Sequence, residues 1–151
     1  MSPVSIQQSD PTHPAALRLI QQLDDYLNRI YPPESNHLMP AEALRQPHIQ
    51  FLTVQKGETV VGCGALVNHG EYGEIKRFFI QLEFRGMQLG VQLLQVLETR
   101  ATALHLPCLR LESGVFQPEA LGLFTKLGYH RREPFGQYQA NPYSVFMEKS
   151  L

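Results

Sequence analysis

The chain lacks most of the features that announce a macromolecular partner. It carries 13 Lys plus Arg against 14 Asp plus Glu, a formal net charge of −1. No bulk field therefore draws nucleic acid or an anionic membrane, and any charged ligand must be met locally. It has only two cysteines, Cys63 and Cys108, each inside an apolar strand-like run ("VVGCGALV", "LPCLRLE"). They read as small buried hydrophobes in a reducing cytoplasm rather than as a disulfide. The six histidines show neither His-x-x-x-His nor an accompanying Cys-x-x-Cys spacing, so no structural metal is expected. No basic stretch followed by an apolar one opens the chain, and nothing approaches the roughly 20 apolar residues of a membrane span. A cytoplasmic location with no membrane contact follows as the expectation. There is also no linker, repeat or low-complexity tract, which points to a single domain over residues 1–151.

What is present is an ordinary globular composition, 43% hydrophobic and 18% charged over 151 residues, enough to bury a sizeable core. "VSIQQSD" reads as a first strand. Ala16, Leu19, Ile20, Leu23, Leu27 and Ile30 then form the stripe of an amphipathic helix that Pro32 and Pro33 stop. "MPAEALRQP" predicts a second, short helix between Pro40 and Pro47. Three strand-like runs follow from Ile49 to Gln81, with turns at "KGE" and "HGEYG" too short for anything but antiparallel neighbours. A helix from about Gln88 to Leu104, a strand "PCLRLES", a helix "PEALGLFTKLG" and a final strand pair complete the order β-α-α-β-β-β-α-β-α-β-β. The fold class is mixed α/β (α+β), with one mixed sheet of six or seven strands and about four flanking helices. The strands ending at Ile80 and near Ser113 are separated by a helix, so they should be parallel.

The turn "EFRGMQLG" between Ile80 and the next helix is where an anion would be met. The first N–H groups of a helix lack intrahelical partners, and the helix dipole places partial positive charge there. Arg85 adds a delocalised cation, while Gly86 and Gly90 let the backbone approach a bulky group. Amides from Gly86 through Met87, Gln88, Leu89 and Gly90 to Val91 are thus candidates for a phosphate or pyrophosphate. Taken alone, the same residues also describe a plain strand-to-helix turn with a solvated arginine. Neither a P-loop nor Gly-x-Gly-x-x-Gly is present.

The run "EIKRFFIQLEFRGMQLGVQLL" resembles the acyl-CoA signature of the GNAT superfamily of N-acyltransferases: a strand, then Gln or Arg, two residues, Gly, one residue, and Gly or Ala before a helix. Arg85 fills the first position and Gly90 the last, with Gln88 where glycine is usual. "LRLESGVFQPEALGLFTKLGY" is similar to the second signature, with Gln117 at its Asn position and Phe124 at its Tyr position. The resemblance covers nearly the whole chain and matches its element order. It implies acetyl-CoA as co-substrate, its phosphates on the Gly86–Val91 amides and its pantetheine arm along Phe78, Phe79 and Ile80 as an added strand. It implies that the Ile80 amide faces the thioester oxygen. It also implies that Phe124 replaces the tyrosine that protonates the leaving thiolate, leaving water or Tyr129 to supply that proton.

Acetyl transfer to an amine needs the neutral nucleophile, and an aliphatic ammonium has a pKa near 10, so a base is required. Strand alternation places Glu74, Lys76, Phe78 and Ile80 on one face, and Glu74 coincides with the base of the histone-acetylating branch. Its other reading is a solvated carboxylate paired with Lys76. Glu112 is the second candidate, with an Arg110 ion pair as its other reading. Glu34 and His37, in the helix-ending loop "YPPESNH", are candidates to attract an ammonium and shuttle protons. Tyr138 and Ser144 are candidate pocket residues. The expected activity is direct transfer of an acetyl group to a primary amine of a small molecule or amino acid. A non-catalytic acyl-CoA-binding module is the alternative. A covalent acyl-cysteine route is not expected, because nothing near Cys63 or Cys108 activates a thiol. The resemblance admits a homodimer.

Overall fold

A computed structural model describes residues 3–151. One seven-stranded mixed sheet runs in the order β1-β2-β3-β4-β5-β7-β6. Its strands are β1 (Val4–Gln8), β2 (Ile49–Lys56), β3 (Thr59–Asn68), β4 (Gly73–Ile80), β5 (Cys108–Gly114), β6 (His130–Arg132) and β7 (Ser144–Ser150). Every pairing is antiparallel except β4 with β5.

Helix α1 (Pro14–Ile30) buries Ala16, Leu19, Ile20 and Leu23 against Phe51, Cys63, Ala65, Val67 and Phe79 on one face of the sheet. Pro14 suits its first turn, and the His13 ring accepts the Ala15 amide as a cap. Helices α2 (Leu89–Ala103) and α3 (Pro118–Lys126) cover the other face, where Leu93, Leu94, Leu97 and Ala101 meet Leu66, Ile75, Leu109 and Leu111. The sheet is therefore the middle of three layers, as amphipathic helices on either side of an apolar sheet require.

The described residues hold three α-helices, one fewer than expected. "MPAEALRQP" closes only a 3-10 turn at Ala43–Arg45, anchored by buried Leu44. Seven positions separate Pro40 from Pro47, and Gln46, placed before a proline, is already extended (ψ 147°). So short a run cannot offset the cost of helix nucleation.

The parallel pair is shorter than its strands. β4 and β5 pair only at Gly73–Leu109, Glu74–Arg110 and Ile75–Leu111. Beyond that point β5 stays on β7 as far as Gly114, while β4 continues to Ile80 beside β3. The two strands fork at their carboxyl ends, where open α/β sheets hold their ligands.

Candidate active site

Alternation along β4 breaks at one residue. Arg77 has a left-handed backbone (φ 56°), and the β3–β4 register shifts between Cys63 and Ala65. Glu74 and Lys76 lie on the α1 face, opposite Val67 and Ala65, but Phe78 and Ile80 join the α2/α3 core while Phe79 turns to α1. The expectation that Glu74, Lys76, Phe78 and Ile80 share one face is thus corrected: a bulge adds a residue and flips everything after it. A left-handed arginine costs about 1–2 kcal/mol. It is offset by a buried guanidinium that donates to the Asp24 carboxylate on α1 and, through Nε, to the Met39 carbonyl at 2.9 Å.

On the far side of the bulge lies a cleft of about 350 Å³. Of the expected cofactor residues, Phe78, Phe79, Ile80, Arg85, Gly86, Gln88, Leu89, Gly90, Val91 and Gln117 line it. Met87 does not, being 46% exposed, and Phe124 lines the neighbouring pocket instead. Gly86 (φ 81°) and Gln88 (φ 63°) are both left-handed, which explains why a glycine suits the position that Gln88 occupies. The first bond into α2 runs from the Gln92 amide to the Gln88 carbonyl, so the amides of Leu89, Gly90 and Val91 precede it and open the helix. Arg85 is half-buried and held by two contacts rather than free in solvent. Its Nε donates to the Ile80 carbonyl at 3.0 Å and its Nη1 to Glu119 at 3.3 Å. The Gln81 amide donates to Val61 on β3, so alternation turns the Ile80 amide the other way, into the fork. These main-chain donors at a glycine-relieved helix start fit a diphosphate followed by an extended arm.

A second pocket of about 130 Å³ lies on the α1 side of the fork, and Leu23, Phe78, Gln117 and Ala120 line both. It gathers polar residues from distant segments. His37 Nδ1 is 2.7 Å from Glu112 Oε2, which also accepts the Ser144 hydroxyl at 2.7 Å. An ionised carboxylate only accepts, so Nδ1 carries the proton in this contact, and in the neutral ring the lone pair lies on Nε2. The anticipated Arg110–Glu112 ion pair is absent among the described residues, because Arg110 and Arg132 both donate to Glu148.

Glu74 is neither solvated nor free. It is 5% exposed; Oε1 is 2.9 Å from His69 Nε2, and Oε2 accepts the Tyr138 hydroxyl at 2.6 Å. Burial first, then the Glu74 charge, raises the Tyr138 pKa, so that hydroxyl remains a donor. Lys76 donates to Tyr138 at 2.8 Å and sits 3.6 Å from Glu74, so the predicted Glu74–Lys76 pairing exists, inside a buried network. Glu34 is exposed on the Pro33–Ser35 turn and does not line the pocket.

The sequence pattern of the acetyltransferase (GNAT) family matches residues 17–129. An IAA acetyltransferase of Azospirillum brasilense is 45% identical over 153 residues, spanning 100% of each chain. The chain belongs to the GNAT acetyltransferase family. A Klebsiella pneumoniae subsp. pneumoniae MGH 78578 structure, provisionally described as an acyl-CoA N-acyltransferase, superposes with a TM-score of 0.82 at 36% identity, covering 98% of this chain and 97% of the other. The PaiA N-acetyltransferase of Thermoplasma acidophilum, solved with coenzyme A, shares the fold at 16% identity, with a TM-score of 0.73 over 99% of each chain.

One GNAT expectation needs revision. Tyr129 cannot stand in for the missing tyrosine at Phe124: its hydroxyl donates to Glu98 at 2.8 Å, and burial followed by that bond raises its pKa. Phe124 itself is buried and packs against Phe78 and Tyr129, so its role at the fork is apolar. The cysteines differ: Cys63 is buried as expected, whereas Cys108 is only half-buried. Both are free, and burial pushes the Cys63 thiol up to about 12, leaving it inert as a nucleophile. Residues with no signal in the sequence include Tyr31, whose hydroxyl accepts the Phe116 amide and donates to Gln117, both at 3.1 Å. Asp24 is another. Neither sits in a recognisable spacing, because each acts through a partner more than 50 positions away.

Proposed function

We propose that this GNAT protein transfers an acetyl group from acetyl-CoA to a primary amine of a small molecule, directly and within a ternary complex. The observation that carries the reading is the fork between β4 and β5. It joins a cleft of main-chain donors to a pocket where His37 and Glu112 are in hydrogen-bond contact. In this reading the amides at the start of α2 and the side chain of Arg85 hold the diphosphate end. The edge of β4 past the bulge then holds the arm as an added strand.

Glu112 orients His37 and stabilises its charged form, while Nε2 takes the proton from the incoming ammonium. The neutral nitrogen then attacks the thioester carbonyl carbon, whose oxygen gains negative charge opposite the Ile80 amide. Collapse breaks the C–S bond; the nitrogen gives its second proton to water as the amide forms, and the thiolate leaves to take a proton from water, since Phe124 donates nothing. His37 is the base in preference to Glu74, whose lone pairs already serve His69, Tyr138 and Lys76.

Release of free coenzyme A thiol with a panel of amines tests this. The native chain should turn over at least one amine, and Glu112→Gln should lose most of that rate while still binding coenzyme A in calorimetry. Phe124 favours a second reading, a binding module without turnover. Acetyl-CoA binding with no thiol release on any amine would select it, and no heat from coenzyme A would reject both.

A further inference from the structure

The acceptor pocket has four charged residues in its wall, Glu74, Lys76, Arg77 and Glu112. Both cations are already satisfied. The Arg77 side chain is 4% exposed and is taken up by Asp24 and the Met39 carbonyl. Lys76 has three protons and three oxygens around it: the Tyr138 hydroxyl at 2.8 Å, the His37 carbonyl at 3.5 Å and Glu74 at 3.6 Å. Each cation thus has its own anion, Asp24 or Glu74.

Glu112 is different. Its side chain is 15% exposed, and its recorded partners, the His37 ring and the Ser144 hydroxyl, both meet Oε2. No ion pair between Glu112 and a Lys or Arg occurs among the described residues, and none of its hydrogen bonds there involves Oε1. With His37 neutral, the pocket holds one carboxylate in excess and no cation free to receive another. The rest of its wall is uncharged, with apolar and aromatic Leu23, Leu27, Tyr31 and Tyr143 beside neutral polar Ser35, Asn36, Ser113 and Gln117.

We infer that the acceptor is an amine that carries no carboxylate: a monocationic alkyl- or arylalkylamine whose ammonium meets Glu112 and whose apolar body lies on the Leu27, Tyr31 and Tyr143 wall. This rests on the acetyl-transfer reading above and narrows it by excluding free amino acids. An α-carboxylate entering this pocket would lose its hydration beside Glu112 and find no counter-charge, and like charges brought together in a desolvated site oppose binding strongly.

Matched acceptors test the inference on the native protein: phenethylamine against phenylalanine, tyramine against tyrosine, and each amino acid against its methyl ester, with kcat/KM read by thiol release. Decarboxylated members should exceed the free amino acids by about 100-fold or more, the scale of a desolvated like-charge clash. The methyl esters, which keep the ammonium and lose the negative charge, should recover most of that gap. Amino acids that match or outrun their amines, or esters no better than the acids, would overturn the inference while leaving acetyl transfer in place. If no acceptor of either kind reacts although coenzyme A binds, the amine-transfer reading falls, and this one with it.

Discussion

The two clefts that meet at the fork are made of different material. The cofactor side relies on one continuous stretch, Phe78 to Val91, and its donors are peptide groups held by β4 and by the start of α2. The acceptor side relies on side chains: His37 from the loop after α1, Lys76 from β4, Glu112 from β5 and Ser144 from β7, while Tyr138, from the loop before β7, lies outside the lining and holds Lys76 and Glu74. A peptide group is present whatever the residue, so the first cleft keeps its main-chain donors with Gln88 at a position where the family signature has glycine. The second cleft has no such redundancy. In the proposed reading one side binds a constant partner and the other a variable one, and the division of material would follow from that.

Substitutions can break this contrast or sharpen it. The largest effect is expected at His37: His37→Ala should lower kcat by about 10²–10³-fold, the range of a lost general base, with KM for acetyl-CoA little changed in steady-state kinetics. An equal rise in that KM would mean the clefts are not separable. Asp24→Asn comes next, because it leaves the buried Arg77 guanidinium uncompensated at the bulge. Removing one partner of a fully buried pair costs about 3–5 kcal/mol. Because the Asp24 side chain is 25% exposed, about 2 kcal/mol after solvent screening is expected in urea unfolding.

Arg85→Ala should act on the cofactor side alone. It removes a charge-assisted bond to the Ile80 carbonyl, and a rise in the acetyl-CoA KM of about 10-fold at constant kcat is the expected size. Gln88→Gly relieves a left-handed side chain but frees the unfolded chain as well, so stability should change by less than about 1 kcal/mol, with binding retained.

Glu148→Gln is the control that lies outside both clefts. Burial raises the Glu148 pKa, but hydrogen bonds from Arg110 and Arg132 outweigh it and hold the carboxyl below its ordinary value. A depressed folded pKa contributes stability above the unfolded carboxyl's range and loses it as pH falls through the folded value. The variant should therefore flatten the acid limb of the stability curve, seen as Tm against pH, and leave acetyl transfer unchanged.

The lining of the first cleft was legible in the sequence. Glycine spacing, an arginine before it and the switch from strand to helix all survive in a single window, and the cleft contains ten of the twelve residues expected there. The sheet, its antiparallel runs and the parallel crossover were legible for the same reason, since period and turn chemistry are local. What failed was the parity of β4. An arginine gives no hint that its backbone will be left-handed, and the partners that hold it there, Asp24 and the Met39 carbonyl, lie 53 and 38 positions away. That one hidden residue moved Phe78 and Ile80 to the opposite face from Glu74. The His37–Glu112 contact was half legible: both residues were candidates, but 75 positions separate them, and only the fold could bring them together. Glu34, three residues from His37, shared its loop and not its direction.

Tyr31 closes the back of the acceptor pocket, with its hydroxyl packed directly onto Gly114, where even a methyl group on the backbone would overlap it. Position 114 therefore stays bare as long as the tyrosine is in place, and the two must be exchanged together. A redesign for bulkier acceptors should begin by trimming the phenol at 31, which deepens the chamber without touching the proton-handling pair and releases Gln117, on the nucleotide side, from its bond to that hydroxyl.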